Sequence, residues 1–197
     1  MKLALLIIDC QNDFIKNASA YSCQMLNKGL IGNIGRLLKI CRGKMDIIYT
    51  QHSIKKDKSN AEAFEPKNIR TCIIGTKGWK IIEDLKALKE DHVVRKDRYD
   101  AFQKTRLDDI LKRKKIDSLI IAGVLTNNCV RATAEGAHYK GYKITIISDC
   151  CGATSYTKKI THEQIHKITL DDLQGRIYNT DILTLDQFFK HNKSFSF

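Results

Sequence analysis

The chain has 197 residues, 43% hydrophobic and 28% charged, with a formal charge of +12 at neutral pH. That balance excludes a disordered chain and fits one folded domain, residues 1–197, with a sizeable core. Its longest apolar runs, such as Leu3 to Ile8 and Ser118 to Val124, are strand-length and fall far short of the roughly 20 residues that cross a bilayer.

Leu3 to Ile8 reads as a strand buried on both faces. It runs straight into Asp9, with no small-residue cleavage site before it, so a cytoplasmic protein is expected. Ile31, Ile34, Leu37, Leu38 and Cys41 recur at helical spacing. Asp46 to Thr50 is a second strand. The polar stretch Ser53 to Thr71, with the only proline, Pro66, reads as a long excursion. Trp79 to Leu88 is expected to be a short helix, and Val93 and Val94 mark a third strand. Thr105 caps the next helix, whose inner face is Leu107, Ile110 and Leu111.

Leu119 to Val124 is the fourth strand, Cys129 to Tyr139 a helix ended near Gly141, and Ile144 to Ile147 the fifth strand. A helix over Lys158 to Leu173 and a strand near Arg176 to Tyr178 complete the pattern. The alternation predicts a mainly parallel sheet with helices on both faces, a three-layer α/β fold.

Seven cysteines, an odd number without a C-x-x-C pair, support neither a zinc ribbon nor a thioredoxin motif. Most read as small buried hydrophobes. The basic residues are spread: Lys55, Lys56 and Lys58 lie in the polar stretch, and Lys112 to Lys115 end a helix, where cations complement the dipole. No recognised nucleic-acid module accompanies them, so solvated faces are expected rather than a nucleic-acid surface.

In an open parallel sheet, ligands bind beyond the carboxyl ends of the strands. Asp9, Lys96 and Cys129 each follow a predicted strand. A cysteine with a pKa of about 8.5 falls to roughly 3.5–7.5 beside a cation or at a helix N-terminus. Asp9 is placed to accept the thiol proton and return it to a leaving group, and Lys96 to hold both anions in register. The first helical N–H groups face a developing oxyanion.

The local sequences sharpen this. The run Leu5-Leu6-Ile7-Ile8-Asp9-Cys10-Gln11-Asn12-Asp13-Phe14 resembles the opening of isochorismatase-like hydrolases. Val93-Val94-Arg95-Lys96-Asp97-Arg98-Tyr99-Asp100-Ala101-Phe102 resembles their lysine segment. Gly123-Val124-Leu125-Thr126-Asn127-Asn128-Cys129-Val130-Arg131-Ala132-Thr133-Ala134 is similar to their nucleophile segment. The resemblance runs in order from about Leu3 to about Leu185. It implies the isochorismatase-like hydrolase fold, with Asp9, Lys96 and Cys129 as the catalytic residues. It also implies a cis peptide at Val124–Leu125 and an oxyanion hole of the Leu125 and Cys129 backbone N–H groups. Attack on an amide or related carbonyl would give a thioester.

Nicotinamidases of this superfamily carry an Asp-x-His metal pair after the second strand. Here Thr50-Gln51-His52-Ser53-Ile54 puts His52 where the aspartate stands and Ile54 where the histidine stands. A single histidine falls short of the three or four ligands a divalent ion needs, so no metal is expected. His162 and His166, four apart with Glu163 between them, read as a helix surface or a subunit contact. No G-x-G-x-x-G follows a strand, and no cofactor is expected. Phe14, Tyr99, Phe102 and His52 are candidate lining for a small-substrate pocket, with ordinary core packing as the alternative for the aromatics. The expected activity is metal-independent C–N hydrolysis of a small amide or ureido compound, in a homo-oligomer. The alternatives are vinyl-ether hydrolysis, whose enzymes typically lack the cysteine, and a non-catalytic binding protein on the same fold.

Overall fold

The computed structural model describes residues 2–16, 22–25, 29–61, 70–177 and 179–191. Six strands form one sheet: β1 (Leu3–Ile8), β2 (Asp46–His52), β3 (His92–Lys96), β4 (Ser118–Val124), β5 (Lys143–Gly152) and β6 (Thr180–Leu183). Their order is β3-β2-β1-β4-β5-β6, and every pairing is parallel. β1 and β4 are adjacent, and the chain builds outward from them in opposite directions. This is the topological switch point at which such sheets bind ligands.

The strands read as apolar runs because both faces are covered. Leu5, Ile7, Ile47, Tyr49, Ile120 and Ala122 pack into one cluster with α1 (Asn12–Ile15), α2 (Leu30–Cys41) and α6 (Leu185–His191). Ala4, Leu6, Ile8, Ile48, Ile121 and Ile146 pack into a second with α3 (Leu107–Arg113), α4 (Arg131–Tyr139) and α5 (His162–Arg176). Alternate residues of each strand thus feed opposite layers. All seven cysteines are free and buried. Among the described residues, no helix is long and apolar enough to cross a membrane.

Several expected elements are corrected. The segment from Trp79 to Leu88 holds only a single 3₁₀ turn, Glu83–Leu85. Its backbone is spent on the loop after β1 instead: Ile81 bridges Gln11, and the Ile82 N–H donates to the Cys10 carbonyl (3.0 Å). The helix expected from Lys158 begins at His162. There Thr161 and Gln164 form a reciprocal capping box. That helix continues through Arg176, which pairs with Asp172 and Glu135, so Arg176 is helical rather than extended. The last strand starts at Thr180; Tyr178 lies outside the described residues, as does Pro66.

Candidate active site

The site is built on three strand ends. Gly123 lets β4 approach β1 closely: a Cβ there would lie 2.2 Å from the Ile8 carbonyl oxygen, and its φ of +124° suits glycine. One residue beyond Ile8 stands Asp9, itself at φ 47°, a left-handed conformation that aspartate adopts more readily than most residues. Thr50 on β2 holds it in place. Its hydroxyl accepts from the Asp9 N–H (3.1 Å) and donates to Asp9 Oδ1 (2.6 Å).

Lys96 ends β3 and is buried. Its Nζ lies 2.5 Å from Asp9 Oδ2 and donates to Cys129 Sγ (3.2 Å) and to the Arg98 carbonyl (3.0 Å). Three contacts match the three protons of an ammonium. Burial alone would lower the Lys96 pKa. Asp9 and Cys129 outweigh it and hold the group protonated above its ordinary range.

Cys129 lies in a π-helical turn, Thr126–Val130, that leads straight into α4. The helical segment expected from Cys129 thus opens three residues earlier, at Thr126, and Cys129 stands in its first turn. The peptide between Val124 and Leu125 is cis, as the resemblance implied. Complete burial pushes the Cys129 thiol up to about 12; Lys96 opposes this and Asp9 adds to it. The neighbouring cation thus works against desolvation and the adjacent carboxylate, both of which favour the thiol.

His52, the last residue of β2, is the register partner of Lys96. Its ring is buried, 6.1 Å from that of Phe14, and Nδ1 has no hydrogen-bond partner among the described residues. Burial first, then Lys96, lowers its pKa to about 4, so the ring is neutral at pH 7. Gln11 clamps its backbone, accepting from the His52 N–H (2.7 Å) and donating to its carbonyl (2.9 Å). Phe102 is buried and stacks on Tyr142 at 5.7 Å, and Tyr99 packs against the same cluster. Both aromatics make core contacts, and Phe14, also part of the core, stands with His52.

The donor set does not suit a metal. Ile54, in the position of the nicotinamidase histidine, is fully buried and hydrogen-bonded through its backbone to Cys72 and Ile74. Among the described residues no three His, Cys, Asp or Glu side chains group as ligands. Three contributors lay outside the sequence expectations: Thr50, Gln11 and His166. The sequence signal for Thr50 and Gln11 was their place at a strand end and in the opening motif. His166 Nδ1 lies 2.9 Å from Thr126 Oγ1, which ties α5 to the turn that carries Cys129. His162 instead contacts Glu163 (3.0 Å).

Comparison with known proteins identifies the family. An isochorismatase domain family model matches residues 3–177. Nicotinamidase 3 of Arabidopsis thaliana is 30% identical over 173 residues, 86% of this chain and 79% of that protein. A probable inactive nicotinamidase of the same plant is 30% identical over 180 residues, 87% and 88% of the two chains. The ureidoacrylate amidohydrolase of Agrobacterium fabrum is 26% identical over 168 residues, 74% of each. The crystal structure of an isochorismatase-like hydrolase from Alkaliphilus metalliredigens superposes with a TM-score of 0.83 at 28% identity, covering 97% of this chain and 99% of that one. The chain therefore belongs to the isochorismatase family of hydrolases.

Proposed function

We propose that the protein hydrolyses a C–N bond of a small amide or ureido compound, with Cys129 as nucleophile, Asp9 as proton acceptor and donor, and Lys96 as the cation between them. The observation that carries this reading is the single ammonium lying 2.5 Å from the Asp9 carboxylate and 3.2 Å from the Cys129 sulfur. The resting nucleophile is a thiol, so attack and deprotonation go together. Sγ bonds to the carbonyl carbon as its proton passes to Asp9. The Leu125 and Cys129 N–H groups are assigned to the oxyanion.

Collapse breaks the C–N bond. Asp9 returns the proton to the leaving nitrogen, and a thioester remains. Water then attacks the thioester, giving one proton to Asp9; the C–S bond breaks, Asp9 passes that proton to Sγ, and the Cys129 thiol is restored as the acid leaves. No step needs a metal. The relatives named for nicotinamide and ureidoacrylate hydrolysis support the amide class. Vinyl-ether cleavage has no use for the thiol, and a binding scaffold has no use for the buried ion pair beside it. Seven free thiols accord with the reducing setting of a cytoplasm.

A hydrolysis screen over small amides and ureido compounds tests the proposal. Turnover of at least one is expected, lost in Cys129→Ala and unchanged by a chelator. Turnover that survives Cys129→Ala, or that falls with metal removal, would overturn it.

A further inference from the structure

A cavity of about 780 Å³ lies at β3, the edge strand of the sheet. Four cations line it: Lys80, Arg95, Lys104 and Arg106. Ile81 and Val93 provide apolar wall, and among the described residues no carboxylate contributes. Among the described residues none of the four cations makes an ion pair, whereas most of the other arginines do. The Arg95 guanidinium lies over the Trp79 ring, 4.9 Å from its centroid.

Charged residues on an edge strand often serve only to prevent strand addition. That role needs no concavity and no convergence of charge. These cations come from three separate segments and face one space, whose size lies within the roughly 300–1,000 Å³ of small-molecule sites. Four like charges around one cavity repel one another, and an anion offsets that cost.

The cavity is distinct from the candidate active site. Asp9, Lys96 and Cys129 do not line it. It touches the same strand ends from behind, however. Gln51 and Arg95 are register partners and line the cavity, and the next pair in register is His52 and Lys96. Successive strand residues point to opposite faces.

We propose that this cavity is a second binding site, for a small organic molecule bearing two or more phosphate charges. Two guanidinium forks match phosphate oxygens in pairs, the lysines add point charges, and Ile81 and Val93 accept an apolar portion. The limited extent of the cavity, about 780 Å³, favours a small molecule over a nucleic-acid strand, which needs an extended track.

The test is isothermal titration of the full chain with inorganic tripolyphosphate at constant ionic strength. One saturable site is expected. Arg95→Gln and Lys104→Gln should each weaken it about tenfold, and a Lys55→Gln, Lys56→Gln, Lys58→Gln triple variant should leave it unchanged. Thermal melts check that each variant is folded. Arg95→Lys, which keeps the charge and loses the fork, should fall between wild type and Arg95→Gln.

Four results would overturn the proposal. One is no saturation up to millimolar tripolyphosphate, and another is equal weakening by the triple variant. A third is displacement by citrate as readily as by pyrophosphate. The last is tighter binding of single-stranded oligonucleotides with increasing length, insensitive to Arg95.

Discussion

Cys129 sits between one cation and one carboxylate, yet burial sets its charge state. With the thiol pushed up to about 12, it is protonated at pH 7 in the free protein. Alkylation by iodoacetamide should therefore be slow at neutral pH and rise through pH 9 without a plateau, because the thiolate is the reactive form. A plateau below pH 8 in mass-spectrometric labelling of Cys129 would show a preformed thiolate. The same geometry makes Asp9 and Lys96 one unit. Asp9→Asn and Lys96→Ala should each lower single-turnover acylation by about 10²–10⁴-fold. The double variant should be about as slow as the slower single one; multiplicative losses would mean independent action. The three residue types were legible in sequence from their order after strands. The burial that pushes the thiol up was not, because desolvation depends on layers of chain that no local motif records.

At the scale of elements, the contact of β1 with β4 positions the reaction. Gly123→Ala would drive a methyl against the Ile8 carbonyl and force an unfavourable φ. We expect a stability loss of at least about 3 kcal/mol in urea unfolding. In any folded fraction, turnover should fall about 10²-fold, since Ile8 precedes Asp9 and a shift near 1 Å misaligns the reacting groups. Unchanged stability and turnover would show that the close approach is dispensable. The strand cores and α2 were legible because their apolar periodicity is set by two-sided or one-sided burial. Strand ends were not. Gln51 and His52 extend β2 as buried polar residues, and β5 runs to Gly152 past Ser148 and Asp149. Polarity there reads as loop, whereas in the fold it marks where the sheet delivers its functional side chains. The 3₁₀ turn at Glu83–Leu85 was misread for a different reason: its apolar spacing is helical, but its backbone pairs with the β1 loop. α6 escaped notice because it is only seven residues long and buries just Leu185 and Phe188, too few positions to show a helical period.

For the whole molecule, buried titratable groups limit stability from both sides of neutrality. Cys23 is raised to about 11, and Cys41 and Cys151 to about 12, all chiefly by burial. The folded chain keeps these protons while the unfolded chain releases them above about pH 8.5. Stability should therefore fall as pH rises beyond that value. His52 acts at the acid end. Its folded pKa is about 4, from an ordinary 6.5, because burial and Lys96 disfavour its charge. Between these values the unfolded chain binds a proton that the folded chain refuses, so stability falls as pH drops from 6.5 to 4. A shift of this size is worth about 3 kcal/mol. Carboxylates that lose their ion pairs contribute in the same range, so the His52 share must be isolated by difference. Urea unfolding of wild type and His52→Gln, measured from pH 7.5 to pH 4, does this. The stability of wild type relative to the variant should decline by about 3 kcal/mol over that interval. A pH-independent difference would mean that the ring reaches solvent or finds a partner for its proton, and that the neutral imidazole beside Lys96 is not a fixed feature of the site.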